Sequence, residues 1–295
     1  MNSTHSGYDE VVIRTMRSED IPFAMEVKSF AGWNQTARDW AGYLEFEADG
    51  CFIAETRGRK VGTATAIDYD GRFGWIGMVL VHPEARRAGI GTKLLQRTID
   101  YLRQRGVRCV KLDATPMGRN VYLPMGFQDE YEISRFEGTT SAIVSPAAGT
   151  DTEVQPLTQR DLPELVTWDA EVFGAERERV LRSLSERNPE LSYVLRTDGK
   201  VAGYIIARYG CDAVQVGPWA AECARAGERL WRTFLQRVPE QRVFVDVPHP
   251  NTASVSLMKG TGFTVQRGFT RMILGENAHR GNPEWVFGTS SAEKG

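Results

Sequence analysis

The chain repeats itself. Asp161-Leu162-Pro163-Glu164 echoes Glu19-Asp20-Ile21-Pro22, Lys200-Val201-Ala202-Gly203 echoes Lys60-Val61-Gly62, and Gly262-Phe263 echoes Gly126-Phe127, at offsets of about 136 to 141 residues. Matches at a nearly constant offset imply that one fold is built twice. The 295 residues suit two domains, each long enough to bury its own core. Between the halves, Gly138 to Thr152 is small, polar and Pro/Gly-containing, the composition of a linker. The expected division is therefore 10–137, a linker over 138–152, and 153–295.

Within the first half the pattern alternates between strands and helices. Val11 to Arg17 starts with β-branched residues and reads as a strand. Ser18 followed by Glu19 and Asp20 reads as a helix start, a hydroxyl cap with acids favoured by the N-terminal dipole. Helices are expected to about Phe30 and from about Thr36 to Ala48. Cys51 to Thr56, Val61 to Ile67, Trp75 to Val81, Cys109 to Ala114 and Glu130 to Phe136 read as strands. Gly89 to Arg105 is the clearest helix, because Leu95, Ile99 and Leu102 recur on one face. The mixture predicts an α/β (α+β) architecture.

Charge and cysteine usage narrow the function classes. A formal net charge of −2 provides no global field for nucleic acid. Cys51, Cys109, Cys211 and Cys223 lack C-x-x-C spacing, which argues against a zinc site or redox pair and for a reducing, cytoplasmic setting. No apolar run approaches membrane-spanning length, and the first residues carry no apolar signal region.

The segment with most chemical content runs from Val79 to Thr92. A strand ends, His82-Pro83-Glu84-Ala85 follows, and Arg86-Arg87-Ala88-Gly89-Ile90-Gly91 leads into a helix. Glycines let a backbone approach a ligand closely, and a helix N-terminus offers unpaired N–H groups. Together these suit a pyrophosphate, with Arg86, Arg87 and Lys93 adding positive charge. The Gly-Lys-Ser/Thr ending of nucleotide-hydrolysing loops and the dinucleotide G-x-G-x-x-G are both absent.

Arg86-Arg87-Ala88-Gly89-Ile90-Gly91 matches the R/Q-x-x-G-x-G/A signature of the GCN5-related N-acetyltransferase (GNAT) superfamily. Tyr122-Leu123-Pro124-Met125-Gly126-Phe127 matches its later Y-x-x-x-G-F. The chain resembles that superfamily across residues 10 to 137. The resemblance implies a central mixed, mostly antiparallel sheet flanked by helices. Its fourth and fifth strands splay apart, and the pantetheine arm of acetyl-CoA lies in the gap like an extra strand. Backbone groups of Val79 and Val81 would pair with that arm. An amide near Leu80 would face the thioester carbonyl, and N–H groups from Arg87 through Ala88, Gly89, Ile90 and Gly91 to Thr92 would hold the pyrophosphate. Tyr122 stands where relatives place the acid that protonates the departing thiolate, although a tyrosine there also packs the Gly126-Phe127 turn. For the base that frees the amine, Glu55, Asp113, His82 and a solvent chain all stay open. Trp33, Trp40 and Tyr43 fall in the helical region that borders the acceptor cleft in this fold. No metal is implied.

The second half lacks R-x-x-G-x-G. Ala213 to Val216 reads as a strand running into Gly217-Pro218-Trp219-Ala220, where Pro218 removes a donor and Trp219 fills space. Asn251 to Phe263 resembles the closing motif, with Met258 in the tyrosine position. The wording resembles the second domain of tandem bacterial proteins of the YitH type. A catalytically degenerate second GNAT-like domain is therefore expected. Trp285-Val286-Phe287 reads as an edge strand and the residues beyond Thr289 as a flexible end. The resemblance implies an acetyl-CoA-dependent N-acetyltransferase acting on a small-molecule amine, as monomer or homodimer, with no nucleic-acid or membrane partner. A non-catalytic acetyl-CoA sensor and acetylation of protein amino groups are its alternatives.

Overall fold

A computed structural model describes residues 10–140 and 153–295. The chain divides into two compact units. One holds the residues up to Leu112 together with Lys294, and the other holds Asp113–Glu293 and Gly295.

In the first unit the order is β1 (Val11–Thr15), α1 (Ile21–Phe30), α2 (Ala37–Phe46), β2 (Cys51–Thr56), β3 (Arg59–Tyr69), β4 (Phe73–Val81), α3 (Ile90–Gln104) and the start of β5 (Val110–Ala114). β1 to β4 are antiparallel neighbours in chain order, and β5 lies parallel to β4. The predicted apolar stripe of α3 holds: Leu94, Leu95, Ile99 and Leu102 are buried. Each such side chain contributes roughly 1.5–3 kcal/mol on leaving water. The start of α1 differs from expectation. Ser18–Asp20 is a 3-10 turn, and the Asp20 carboxylate, rather than the Ser18 hydroxyl, accepts the Arg17 N–H at 2.9 Å. Asp20 is buried with Arg14 and Lys60 as ion partners, so its charge anchors α1 against β1 and β3. Thr36 caps α2 reciprocally with Asp39.

The second unit continues with α4 (Pro116–Tyr122), β6 (Gln128–Thr139), β7 (Val154–Pro156), α5 (Leu162–Phe173), α6 (Glu178–Arg187), β8 (Ser192–Thr197) and β9 (Lys200–Tyr209). It closes with β10 (Val214–Ala221), α7 (Ala224–Leu235), β11 (Arg242–Pro248), α8 (Thr252–Gly260), β12 (Thr264–Leu274) and β13 (Val286–Gly288). Its strands are ordered β12-β6-β11-β10-β9-β8-β7. Only β10 and β11 run parallel among these neighbours.

The duplication is visible element by element. β1 through β6, with four helices at fixed places, recur as β7 through β12, and β13 has no counterpart among the described residues of the first copy. Sequence repeats and packing units nevertheless divide the chain differently. β6 closes the first repeat but hydrogen-bonds to β11 on one side and β12 on the other. That pairing carries it through Gly138 and Thr139, and Thr140 bonds to Gln241 at 3.1 Å. The first residues assigned to a linker are therefore strand, while 141–152 lie outside the described residues.

Candidate active site

The backbone of β4 is irregular where the sequence places the thioester. Its register against β3 shifts between Thr63↔Leu80 and Thr65↔Gly77, which inserts one extra residue on β4. Met78 takes a left-handed φ of 51°, and its carbonyl accepts the buried Thr63 hydroxyl at 2.8 Å. Such a bulge re-aims the following peptide groups. Parallel pairing between β4 and β5 covers only Gly74↔Val110 and Trp75↔Lys111. From Ile76 to Val81 that edge of β4 has no strand partner among the described residues. Val79, Leu80 and Val81 thus sit on a strand with an open row of backbone groups. Val79 is half-buried, and the Val81 carbonyl already accepts Arg86 Nε at 3.2 Å.

The loop after β4 holds its shape by local bonds. The His82 N–H reaches the Val61 carbonyl at 2.8 Å, and a 3-10 turn over Pro83–Ala85 follows. Arg87 and Gly89 both have positive φ, 64° and 73°. Gly89 stands at the N-cap of α3 and no side chain caps the helix there. A Cβ at Gly89 would meet nothing within 4 Å. Arg86, Arg87, Gly89, Thr92 and Lys93 are exposed, Ala88 and Gly91 partly so, and Ile90 anchors the turn in the core. Two arginines and a lysine around an uncapped, exposed helix start make a cationic cradle for an anion.

Tyr122 ends α4 and packs against Phe127 with ring centroids 5.9 Å apart. Burial pushes its phenol up to about 12, so it carries its proton throughout the neutral range. It both packs the turn and remains able to donate.

The base candidates are engaged. Glu55 accepts Arg14 through Nε at 3.0 Å and Nη2 at 2.6 Å. Asp113 is buried in a two-point pair with Arg271, Nε at 2.7 Å and Nη2 at 2.9 Å. Burial pushes the Asp113 carboxyl up while Arg271 pulls it back. Tyr131 accepts a third Arg271 bond at 2.6 Å. His82 takes the Glu84 N–H on Nδ1 at 3.4 Å, faces Glu26 from Nε2 at 3.6 Å and meets the Phe30 ring edge-on. Each is held by neighbouring groups of the fold.

The aromatic residues divide. Trp40 and Tyr43 are fully buried and pack edge to face at 5.6 Å, so they belong to the core. Trp33 alone of the three is partly exposed.

Sequence reasoning missed Arg271, because nothing in the local pattern of β12 announces its pairing with Asp113. It also missed the Met78 bulge, which no residue type signals. In the second unit β10 does not stop at Val216 but continues through Gly217 and Pro218 to Ala221. Trp219 stacks on Trp231 at 5.2 Å, and Met258 is fully buried in the same core.

Residues 17–127 match the acetyltransferase (GNAT) family, and residues 165–288 match a second acetyltransferase (GNAT) domain description. A holothin acyltransferase of Pseudoalteromonas sp. (strain SANK 73390) is 25% identical over 232 residues, covering 78% of this chain and 76% of that protein. The N-acetyltransferase YitH of Bacillus subtilis (strain 168), described as uncharacterized, is 23% identical over 198 residues, 65% of this chain and 67% of its own length. A crystal structure assigned as an acetyltransferase from Pyrococcus horikoshii superposes with a TM-score of 0.82 at 22% identity, covering 100% of this chain and 99% of that one. A tandem GNAT protein from the clavulanic acid biosynthesis pathway gives 0.64 at 14% identity, covering 90% and 98%. At such identities the structures speak for the fold, and the two consecutive family matches add the chemistry. This chain belongs to the GNAT family as a tandem-domain acyltransferase.

Proposed function

We propose that the chain transfers the acetyl group of acetyl-CoA directly to a primary amine of a small molecule, at one site in its first domain. The observation that carries this is the bulge at Met78 on a strand with an open edge, followed by an uncapped α3 with room above Gly89. In this reading the edge of Val79 and Val81 pairs with the pantetheine amides. The Leu80 region supplies a donor for the developing oxyanion, and Arg87 to Thr92 hold the pyrophosphate. Holding amine and thioester together supplies much of the rate. The attacking amine loses its proton to solvent, the tetrahedral intermediate collapses, and Tyr122 protonates the coenzyme A thiolate. A relative named for acyl transfer supports a donor pocket of this kind, and longer acyl groups belong in the same screen. We place the protein in the cytoplasm as a monomer or homodimer, without nucleic-acid or membrane partners. Among the described residues no helix is long and apolar enough to cross a membrane.

The test is thiol release from acetyl-CoA across a panel of small primary amines and lysine peptides. Acetylation of a small amine well above background hydrolysis is expected. Transfer to peptides alone would move the acceptor to protein amino groups, and no transfer to any amine would overturn the reading.

Tyr122→Phe keeps the ring packed on Phe127 and removes only the hydroxyl. Turnover is expected to fall about a hundredfold, the lower end for a general acid, with acetyl-CoA affinity unchanged. Because the phenol titrates at about 12, wild-type turnover should rise with pH as the amine loses its proton and show no decline from tyrosine ionisation below about pH 11. Pre-steady-state rates and direct binding would check both; an unaltered rate in Tyr122→Phe removes it from the chemistry.

A further inference from the structure

The second repeat opens the same gap as the first and then closes it with its own chain. β10 pairs in parallel with β11 over Val214–Val216 and then departs from it, as β4 departs from β5 after Trp75. Into the divergence comes β13, the strand with no counterpart among the described residues of the first copy. It runs antiparallel to β10, with Trp219 opposite Gly288 and Ala220 opposite Val286. On its other side the Thr289 N–H donates to the Asp246 carbonyl of β11 at 2.9 Å. The segment read from sequence as an edge strand is instead wedged between two strands, and Thr289, Ser290 and Ser291 beyond it are buried.

We infer that Val286–Thr289 is a fixed internal occupant of the second domain's cofactor cleft, standing where the pantetheine arm would lie and so preventing that domain from taking acyl-CoA. The inference rests on the reading that the diverging strands of this fold receive that arm. An extended pantetheine offers amide groups to both flanking strands, and a β-strand offers the same groups at similar spacing. The occupant is clamped at several points. Asn251 Nδ2 donates to the Val286 carbonyl at 3.1 Å, and Ser254 Oγ donates to the Phe287 carbonyl at 2.7 Å, both from the start of α8. The buried Phe287 ring packs on Trp219 at 5.0 Å and presses against α7 at Gly227. A Cβ at Gly227 would lie 2.3 Å from two of its ring atoms. Gly227 sits in the first turn of α7, the helix that corresponds to α3 of the first copy, so the ring packs against that turn while Cys223, Ala224 and Arg225 at the helix start stay exposed.

Hydrogen exchange on the whole chain, read by mass spectrometry with and without millimolar coenzyme A, tests this. Amides of 286–289 are expected to exchange within about tenfold of the rates in β11, and to stay unchanged when coenzyme A is added. Exchange more than about a hundredfold faster than β11, or loss of protection on adding coenzyme A, would overturn the assignment. Gly227→Ala should expel the Phe287 ring and raise exchange at 286–289 by at least tenfold; unaltered exchange in that variant would count equally against it. If the protein binds no coenzyme A at all, the proposed function of the first domain falls, while the exchange rates of the ligand-free chain still decide whether the cleft is filled.

Discussion

Gly89→Glu is expected to raise the dissociation constant for acetyl-CoA about a thousandfold while leaving the fold intact. The position is the exposed N-cap of α3, where a side chain would enter open space rather than the core. A carboxylate about 4 Å from a pyrophosphate charge near a protein surface costs about 4 kcal/mol, which is about a thousandfold in affinity. The left-handed φ of 73° adds strain of about 1–2 kcal/mol, paid in stability and visible as a melting shift of a few degrees. Calorimetric titration of acetyl-CoA into wild type and variant separates the two effects. Binding near one equivalent, lost in the variant, places the cofactor on this loop. Binding that survives the change would mean the cradle lies elsewhere.

The second large effect is on stability. Asp113→Ala would remove the two-point carboxylate partner of the Arg271 guanidinium and leave that charge buried beside the Tyr131 hydroxyl. Stripping one partner from a buried, two-point pair costs about 3–5 kcal/mol, because the remaining charge keeps its desolvation cost. Replacing both partners, Asp113→Ala with Arg271→Met, should recover much of that loss. Denaturant titration checks both variants. A catalytic base would behave in the opposite manner, with turnover falling and the unfolding midpoint unmoved; that pattern would return Asp113 to the chemistry.

These expectations separate what local sequence conveys from what it does not. The apolar stripe of α3, the strand over Trp75 to Val81 and the loop from Arg86 to Gly91 were legible because periodicity, β-propensity and glycine placement act over a few residues, while Phe73 and Gly74, read as turn, belong to that strand. The place of Tyr122 on a short helix before Gly126-Phe127 was legible from the motif around it. Its phenol value was not, since burial depends on neighbours from other elements. Glu55 and Asp113 looked available as bases because their arginine partners lie 41 and 158 residues away in sequence. Which of Trp33, Trp40 and Tyr43 is core was not legible, because a buried and an exposed aromatic read alike in a helix.

By itself the sequence determined the duplication, the element order of each copy, and the presence of a signature loop in the first copy and its loss in the second. Those properties are carried by short-range patterns that survive in either context. Tertiary structure alone decided three things: the bulge at Met78, the seating of β6 between β11 and β12, and the burial of β13 between β10 and β11. Each depends on which backbone hydrogen-bonding row is left open by strands distant in sequence. A strand of three residues carries no local signal saying which open row it will fill.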